Sequence, residues 1–364
     1  MTSEIFIIGG ARPNFMKIAP LIYEFNKEGI NFKLIHTGQH YDYNMSKIFF
    51  DNLGIPKPDF FLDVGSGSHA VQTAKIMIEF EKVILRENPK LVIVVGDVNS
   101  TIACALVAKK LFIKVAHIEA GLRSYDLKMP EEINRKLTDQ IADYLFITEK
   151  SALNNLQKEG INLNQVFFVG NIMIDNLIRN LEKAKQIGYY EKLDLKNKAY
   201  GLATIHRPSN VDKKEDLKKV IEILNYIQTK IKIIFPIHPR TQKNLEKYDL
   251  RKDINQSNII LIEPLGYLEF LNLMINAKFI LTDSGGIQEE ASFLNIPILT
   301  LRRNTERPIT IEKGTNTLIG NDIDKLKLHL DMILSNSYKT TQSIENWDGK
   351  TAQRIVKIIK DKIT

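Results

Sequence analysis

Short runs of apolar residues alternate along the chain with longer segments in which apolar residues recur every three or four positions. A short uninterrupted run rich in isoleucine and valine predicts a strand buried on both faces of a parallel sheet, and the longer segments predict the helices that cover it. The first half of the chain therefore predicts one doubly wound α/β domain. Its predicted strands are Ile5–Ile8, Leu34–Ile35, Leu91–Val95, Val115–Ile118, Tyr144–Ile147 and Val166–Val169.

The same alternation begins again after a lysine-rich and tyrosine-rich stretch at 180–198, which predicts a helix and a connection. A chain of 364 residues also exceeds the size of one ordinary core, which favours two domains. We expect residues 1–178 and 179–349 to form two Rossmann-like domains, and an amphipathic helix at 350–364 to pack back on the first. The predicted strands of the second domain are Ala199–Ile205, Ile231–Pro236, Ile259–Ile262, Phe279–Thr282 and Ile298–Leu301.

Composition narrows the class of protein. Hydrophobic residues make up 44% and charged residues 26%, as in soluble globular proteins, and the net charge of +7 is spread along the chain. This charge suits a polyanionic small ligand or nucleic acid, or serves solubility alone. No apolar run is long enough to cross a membrane, and no signal peptide is predicted. The single cysteine, Cys104, excludes a disulfide framework, predicts a buried structural thiol and fits a cytoplasmic location.

In open α/β sheets, ligands bind beyond the carboxyl ends of the strands, so charged residues that directly follow strands are the candidates for function. After the first strand, Gly9–Lys17 contains a glycine turn, a helix start and the cations Arg12 and Lys17, which together can bind an anion or form a simple connection. Asp97 and Glu119 follow two later strands. Asp97 has the alternative of capping a helix, whereas Glu119 has apolar neighbours.

Three further segments carry charges in comparable places. Pro130 predicts a helix start, and Glu131 and Arg135 are spaced i, i+4 on one face, as they would be in an ordinary surface ion pair. His206 and His238 each follow an apolar strand at equivalent places, which suggests a ligand. The seven histidines are otherwise scattered without ligand spacing, so we expect no metal.

The segment Thr282–Ala291 is the strongest single signal. A strand end and a turn of small residues, Ser284, Gly285 and Gly286, lead into a helix whose first amides can hold a diphosphate, and Glu290 lies one turn further on, where it can reach ribose hydroxyls. Arg307 belongs to a later segment that supplies additional cations.

Taken in order, these segments resemble the non-hydrolysing UDP-N-acetylglucosamine 2-epimerase family over nearly the whole chain. The resemblance implies the GT-B fold, in which two Rossmann-like domains face a central cleft. The matching stretches are Arg12-Pro13 with Lys17, Gly96-Asp97, His117 to Arg123, Pro130-Glu131-Glu132 with Asn134-Arg135, His206-Arg207, Asp283 to Glu290, and Thr305 to Pro308.

The resemblance also implies a reaction without cofactor or metal. A carboxylate removes the C2 proton while UDP leaves C1 to give a 2-acetamidoglucal, and UDP then adds back as C2 is protonated on the opposite face. The implied roles are proton transfer for Asp97, Glu119 and Glu131, and assistance to the departing diphosphate for His206. Phosphate binding is implied for Arg12, Lys17, Arg135, His238, Ser284, Gly285 and Gly286, ribose binding for Glu290, and a place in the pocket for Arg307.

The first loop departs from the common family form and is similar to loops of a branch that acts on UDP-2,3-diacetamido-2,3-dideoxyglucuronic acid. We therefore keep that sugar as an alternative to UDP-N-acetylglucosamine. Outside the epimerases, a GT-B glycosyltransferase shares the Ser284–Glu290 site, and a non-catalytic UDP-sugar sensor shares the cations. Neither accounts for three carboxylates. The resemblance further implies a cytoplasmic homodimer that supplies surface-polysaccharide precursors and binds neither nucleic acid nor membrane.

Overall fold

The structure is a computed structural model that describes residues 5–38, 50, 53–254 and 257–363. The chain divides into two compact units, one formed by Met1–Arg179 with Glu345–Thr364 and the other by Asn180–Ile344. Each unit contains a parallel sheet with helices, so the predicted α/β class with two doubly wound sheets is confirmed. Within the described ranges, no helix is long and apolar enough to cross a membrane.

The first unit is built on a seven-stranded sheet in the order β3-β2-β1-β4-β5-β6-β7. Its six predicted strands are present, and a two-residue edge strand, β3, was not predicted. The chain order reverses between β1 and β4, where two neighbouring strands send their connections to opposite sides and leave room for a ligand. The strands are β1 (Ile5–Gly9), β2 (Phe32–His36), β3 (Phe60–Phe61), β4 (Leu91–Val95), β5 (Lys114–Ala120), β6 (Tyr144–Ile147) and β7 (Val166–Phe168).

Helices cover this sheet, and one of them, α2, shows a single buried stripe. On α2, Gln72, Ile76, Phe80 and Ile84 recur every four residues and are buried, which is the spacing of one helix face. The helices are α1 (Arg12–Lys27), α2 (His69–Glu87), α3 (Asn99–Lys110), α4 (Pro130–Ile141), α5 (Lys150–Lys158) and α6 (Ile172–Gln186). Cys104 lies fully buried on α3, and burial raises the pKa of its thiol, as expected of a structural cysteine.

The second unit repeats this plan with six strands in the order β10-β9-β8-β11-β12-β13, and its switch point lies between β8 and β11. The strands are β8 (Tyr200–Thr204), β9 (Lys232–Pro236), β10 (Ile259–Ile262), β11 (Phe279–Thr282), β12 (Ile298–Thr300) and β13 (Asn316–Leu318). The helices are α7 (Tyr189–Lys192), α8 (Pro208–Val211), α9 (Lys214–Gln228), α10 (Pro239–Lys247), α11 (Tyr267–Asn276), α12 (Gly285–Phe293), α13 (Ile309–Glu312) and α14 (Ile323–Leu334).

The last helix, α15 (Thr351–Ile363), belongs to the first unit and packs against α1. The carboxylate of Asp175 accepts hydrogen bonds from the amides of Thr351 at 3.1 Å and Ala352 at 2.7 Å, two donors that the first turn of a helix leaves without partners. Burial raises the pKa of Asp175 to about 6, although these amide bonds oppose the rise. A side chain outside the helix thus anchors its beginning.

Candidate functional site

The loop after β1 is fixed to the neighbouring strand by Asn14. Its side-chain oxygen accepts hydrogen bonds from the amides of Gly10 at 3.2 Å and Ala11 at 3.0 Å, and its side-chain nitrogen donates to the carbonyl of Val95 at 2.9 Å. This buried residue joins the carboxyl ends of β1 and β4, and sequence reasoning had given it no role. Arg12 begins α1, and its side chain lies outside the described part of the structure.

Lys17 and Glu119 form a buried ion pair beside this loop, with side chains 9% and 3% exposed. Glu119 has a φ of 71°, in the left-handed region that residues other than glycine rarely adopt, and the pairing of β5 with β6 shifts register at this point. Such a conformation costs on the order of 1–3 kcal/mol and persists only where surrounding contacts hold it. The backbone therefore carries strain at a carboxylate predicted to be catalytic.

The carboxylate of Asp97 is held in place by Arg135. Its Nε and Nη2 donate to Oδ2 of Asp97 at 3.0 and 2.7 Å, and Nη1 donates to Glu132. Two alternatives raised by the sequence are therefore wrong. Asp97 does not cap α3, whose N-cap residue is Val98, and Arg135 pairs with Glu132 and Asp97 instead of forming a surface pair with Glu131.

Glu131 and Glu132 are neighbours on α4 with different surroundings. Glu132 is buried and accepts hydrogen bonds from the amide and hydroxyl of Ser124, both at 3.0 Å, and from the amide of Tyr125 at 2.9 Å, so it shapes the loop before α4. Glu131 is half-buried and makes no hydrogen bond or ion pair with any described residue. Of the two adjacent glutamates, Glu131 is the one whose carboxylate is available to a substrate.

A group that we call the His117 network consists of the buried residues His117, Asp139 and Arg123 and the partly buried Glu159. Asp139 Oδ1 lies 2.7 Å from His117 Nδ1, and Asp139 Oδ2 lies 2.7 Å from Arg123 Nη2. Arg123 also donates to Glu159 at 3.0 and 2.7 Å. Burial alone would raise the pKa of Asp139, but the hydrogen bonds and charges of His117 and Arg123 lower it. The sequence had assigned these residues no role.

In the second unit, Asp283 at the end of β11 organises the loop that carries His206. Its carboxylate accepts hydrogen bonds from the amides of His206 at 3.1 and 3.0 Å and of Arg207 at 2.8 Å, and from Asn210 Nδ2 at 2.9 Å. Burial lowers the pKa of His206, which Asp283 opposes and the charges of Arg207 and Arg240 reinforce. His206 is therefore neutral at pH 7 in the unliganded protein, and one ring nitrogen is a donor.

His238 lies beside His206, with ring centroids 5.1 Å apart and an interplanar angle of 30°. Its Nδ1 accepts a hydrogen bond from the amide of Arg240 at 3.1 Å at the start of α10. A ring nitrogen that accepts carries no proton, so the proton of a neutral His238 resides on Nε2. The predicted pair of histidines is thus brought together, and His238 presents an N–H donor.

The turn before α12 combines an uncapped helix start with arginine side chains. Ser284 is the N-cap residue of α12, but its hydroxyl does not cap the helix, so both the hydroxyl and the first amides are available to an anion. A Cβ atom on Gly285 would lie 2.6 Å from Nη1 of Arg307 and 2.7 Å from Oε1 of Glu306. Gly285, followed by Gly286, therefore lets Arg307 approach the helix start.

Arg307 belongs to a buried cluster of arginines and glutamates. Its Nε lies 2.9 Å from Glu289 and its Nη1 donates to Glu306 at 2.5 Å, while Arg302 donates to the other oxygen of Glu306 at 2.6 Å. The sequence analysis gave Arg307 a place in the pocket but gave neither glutamate a role. The carboxylates hold the guanidinium groups in place, because a buried arginine is stable only when it is paired.

Glu290 is buried on α12, where Tyr267 Oη donates to its Oε1 at 2.7 Å. Burial raises the pKa of Glu290 to about 8, which the hydrogen bond from Tyr267 opposes and Glu289 reinforces. The carboxyl group is therefore mostly protonated at pH 7, and it can donate as well as accept a hydrogen bond. Tyr267 was not predicted because it lies 23 residues away in the chain.

Within the described residues, no three side chains of the His, Cys, Asp and Glu types are grouped so that they could hold a metal ion. Lys17, Arg135 and Arg307 instead pair with carboxylates, and Asp283 accepts from backbone amides. The arrangement thus offers carboxylates for proton transfer in the first unit, and hydrogen-bond donors for an anion in the second.

Known proteins similar to this chain include sugar-nucleotide 2-epimerases. The sequence profile of the UDP-N-acetylglucosamine 2-epimerase family matches residues 24–360. A UDP-N-acetylglucosamine 2-epimerase from Methanocaldococcus jannaschii is 48% identical over 98% of both chains. A UDP-2,3-diacetamido-2,3-dideoxy-D-glucuronate 2-epimerase from Pseudomonas aeruginosa is 42% identical over 87% of this chain and 88% of its own. The crystal structure of the Methanocaldococcus jannaschii UDP-GlcNAc 2-epimerase in complex with UDP-GlcNAc and UDP has a TM-score of 0.91, with 46% identity over 98% of this chain and 99% of that one.

Proposed function

The chain belongs to the UDP-N-acetylglucosamine 2-epimerase family and is an isomerase, and we propose that it inverts C2 of UDP-N-acetylglucosamine by eliminating and re-adding UDP. The observation that carries the proposal is the buried Lys17–Glu119 ion pair on strained backbone. An ionised carboxylate kept from water at a strand end can accept a proton from a weakly acidic carbon. Binding of the nucleotide sugar alone would not require such a buried carboxylate.

We assign proton transfer at C2 to the carboxylates of the first unit, which are Asp97, Glu119 and Glu131. A carboxylate takes the C2 proton, the C2–H electrons form the C1=C2 double bond, and the C1–O bond breaks with its electrons on the diphosphate of UDP. The reverse sequence delivers a proton to the other face of C2. Proton transfer at the two faces of C2 needs two carboxylates. Glu119 and Asp97, which are held by ion pairs, and Glu131, which has no such partner among the described residues, are the three candidates.

We assign the diphosphate to donors of the second unit. Negative charge grows on the phosphate oxygens as C1–O breaks, and donors already in place stabilise that charge without reorganisation. Neutral His206, Nε2–H of His238, the Ser284 hydroxyl and the first amides of α12 are such donors. Arg307 adds a cation, and protonated Glu290 can bind a ribose hydroxyl through the oxygen that Tyr267 leaves available.

UDP-N-acetylglucosamine is favoured as the substrate because relatives 47% and 48% identical carry that name. The 2,3-diacetamido uronic acid remains the second candidate because of the relative at 42% identity. We further propose a cytoplasmic role in supplying precursors for surface polysaccharides. The single buried free thiol of Cys104 fits a reducing compartment.

The proposal is tested by incubating the protein with UDP-N-acetylglucosamine in deuterated water and following C1 and C2 by proton NMR. We expect UDP-N-acetylmannosamine to appear with deuterium at C2 in both epimers and little free UDP, because the C2 proton exchanges with solvent during elimination. A parallel sample with a chelator should behave identically. Exchange with the diacetamido uronic acid alone would move the assignment to that substrate, and exchange with neither would overturn the proposal.

We also propose that the enzyme is a homodimer associated through helix α2. Val71, Ile78 and Leu85 are 48%, 56% and 62% exposed and recur every seven residues, so they form an apolar stripe on the face opposite the buried residues of this helix. A stripe with this period is the pattern through which helices pair. A second copy of the chain would cover it with an identical stripe.

Ile78→Glu is expected to raise the dimer dissociation constant at least about tenfold, because a charge in an apolar interface must be desolvated. Analytical ultracentrifugation over a concentration series measures the change. Leu328→Glu is the matched control, since Leu328 is 61% exposed on α14 of the second unit. Equal dissociation constants for the wild type and Ile78→Glu would exclude this stripe as the interface.

A further inference from the structure

The His117 network is connected to both strand ends that carry predicted catalytic carboxylates. Nε2 of His117 lies 2.8 Å from the carbonyl oxygen of Gly96, the residue before Asp97, and Oδ2 of Asp139 accepts a hydrogen bond from the amide of Gly121 at 3.0 Å. Glu119 lies between His117 and Gly121 in the chain. The single carboxylate of Asp139 thus holds the side chain of His117 on one side of Glu119 and the backbone amide of Gly121 on the other.

The turn that Asp139 holds has left-handed backbone at two positions, and it is strained at the one that is not glycine. Glu119 has a φ of 71° and Gly121 a φ of 77°, and a Cβ on Gly121 would lie 2.8 Å from the carbonyl oxygen of Ala152. A residue with a side chain in this region relaxes toward extended backbone unless other contacts oppose it. Relaxation at Glu119 would turn its carboxylate away from Lys17, so contacts that fix the turn also fix the carboxylate.

Both ring nitrogens of His117 are held by oxygen atoms. Nδ1 lies against a carboxylate oxygen of Asp139, and Nε2 lies against the carbonyl oxygen of Gly96. The buried carboxylate of Asp139 also faces the guanidinium of Arg123, which pairs in turn with the partly buried Glu159. The Asp139 carboxylate is therefore held on both of its oxygens.

We propose that Asp139 is a positioning residue for the epimerase reaction, which acts through His117 and the Gly121 amide to hold Glu119 where it exchanges the C2 proton. The inference rests on the proposed function. Asp139 touches neither reacting atom, and it contributes by keeping the Glu119 carboxylate in place while that group gains and loses a proton. A displacement of about 1 Å in such a group costs roughly a hundredfold in rate.

Asp139→Asn is the test, because it preserves size while replacing one acceptor oxygen by an NH₂ donor. The amide cannot accept from both His117 and Gly121, so we expect the turnover number to fall about ten- to a hundredfold with KM changed less than about threefold. In ¹⁵N NMR of histidine-labelled protein, the Nδ1 resonance of His117 should shift in the variant, because the carboxylate oxygen that it faces belongs to the replaced side chain. The affinity for UDP, assigned to the second unit, should be unchanged.

Asp175→Asn is the matched control, since Asp175 is also a buried aspartate of the first unit that accepts two backbone hydrogen bonds. It should lower the midpoint of thermal unfolding but not the turnover number. If Asp139→Asn has normal turnover, or loses UDP affinity and turnover together, the positioning role is wrong. Absence of C2 exchange in the wild type would instead refute the proposed function, so the two failures can be told apart.

Discussion

Glu119→Gln is expected to lower the turnover number at least about a hundredfold, the scale of lost general acid–base catalysis, with UDP affinity within about threefold of wild type. Glutamine has the size of glutamate but cannot take up a proton. The substitution also leaves the buried ammonium of Lys17 without the carboxylate that it contacts, so some loss of stability accompanies the loss of rate.

Deuterium incorporation at C2 measures the effect directly, and calorimetric titration with UDP measures binding. Glu87→Gln is the matched control because Glu87 pairs with Lys33 in a second, partly buried lysine–glutamate pair of the same unit. This control should retain full exchange while losing a comparable ion pair. Near-normal exchange in Glu119→Gln would remove Glu119 from the proton-transfer step and shift the assignment to Asp97 and Glu131.

Glu290→Gln is expected to stabilise the unliganded protein at alkaline pH. A carboxyl group whose pKa rises from an ordinary value to about 8 on folding binds a proton in the folded state, so the free energy of unfolding falls as the pH rises through that interval. Below the pKa of the unfolded state the group does not change the free energy of unfolding. Above about pH 8 the penalty is complete and is on the order of 5 kcal/mol, from 1.36 kcal/mol per pKa unit. Glutamine carries no charge and avoids this penalty.

Urea unfolding of both proteins at pH 5, 7 and 9 checks this expectation. The difference in free energy of unfolding should be small at pH 5 and should grow in favour of Glu290→Gln up to pH 9. The side-chain oxygen of glutamine can still accept from Tyr267, so the variant should keep that hydrogen bond. A pH-independent difference would show that Glu290 is ionised in the folded protein. If Glu290 binds ribose, the variant should also bind UDP more weakly.

The sheets were predictable where burial on both faces made the strand an unbroken apolar run. Leu91–Val95 and Phe279–Thr282 match the observed strands residue for residue. The edge strands β3 and β13 were missed because Phe60–Phe61 is only two residues long and Asn316–Leu318 contains polar residues, so neither makes a recognisable run. The edge strand β10 was predicted although it is only partly buried, because all four of its residues are apolar.

The site was predictable as a set of charges after strands, but not as a set of contacts. The position of Asp97 and Glu119 after apolar runs identified both, and the resemblance to the family gave them roles that remain predictions. Partners such as Asn14 and Asp139 were not identifiable, because Asn14 contacts a residue 81 positions away and Asp139 one 22 positions away. The left-handed backbone of Glu119 gave no signal, since glutamate is not a residue that favours it.

The return of α15 to the first unit makes the second unit an insertion within the first, and this affects the order of assembly during synthesis. All strands and helices of the second unit leave the ribosome before α15 does. Until then α1 lacks one of its packing neighbours, and the Asp175 carboxylate lacks the amides of α15 that it binds. Because domains fold largely in the order in which they are synthesised, the unit made first is completed last, and nascent chains that end before residue 345 should contain a folded second unit beside an unfinished first.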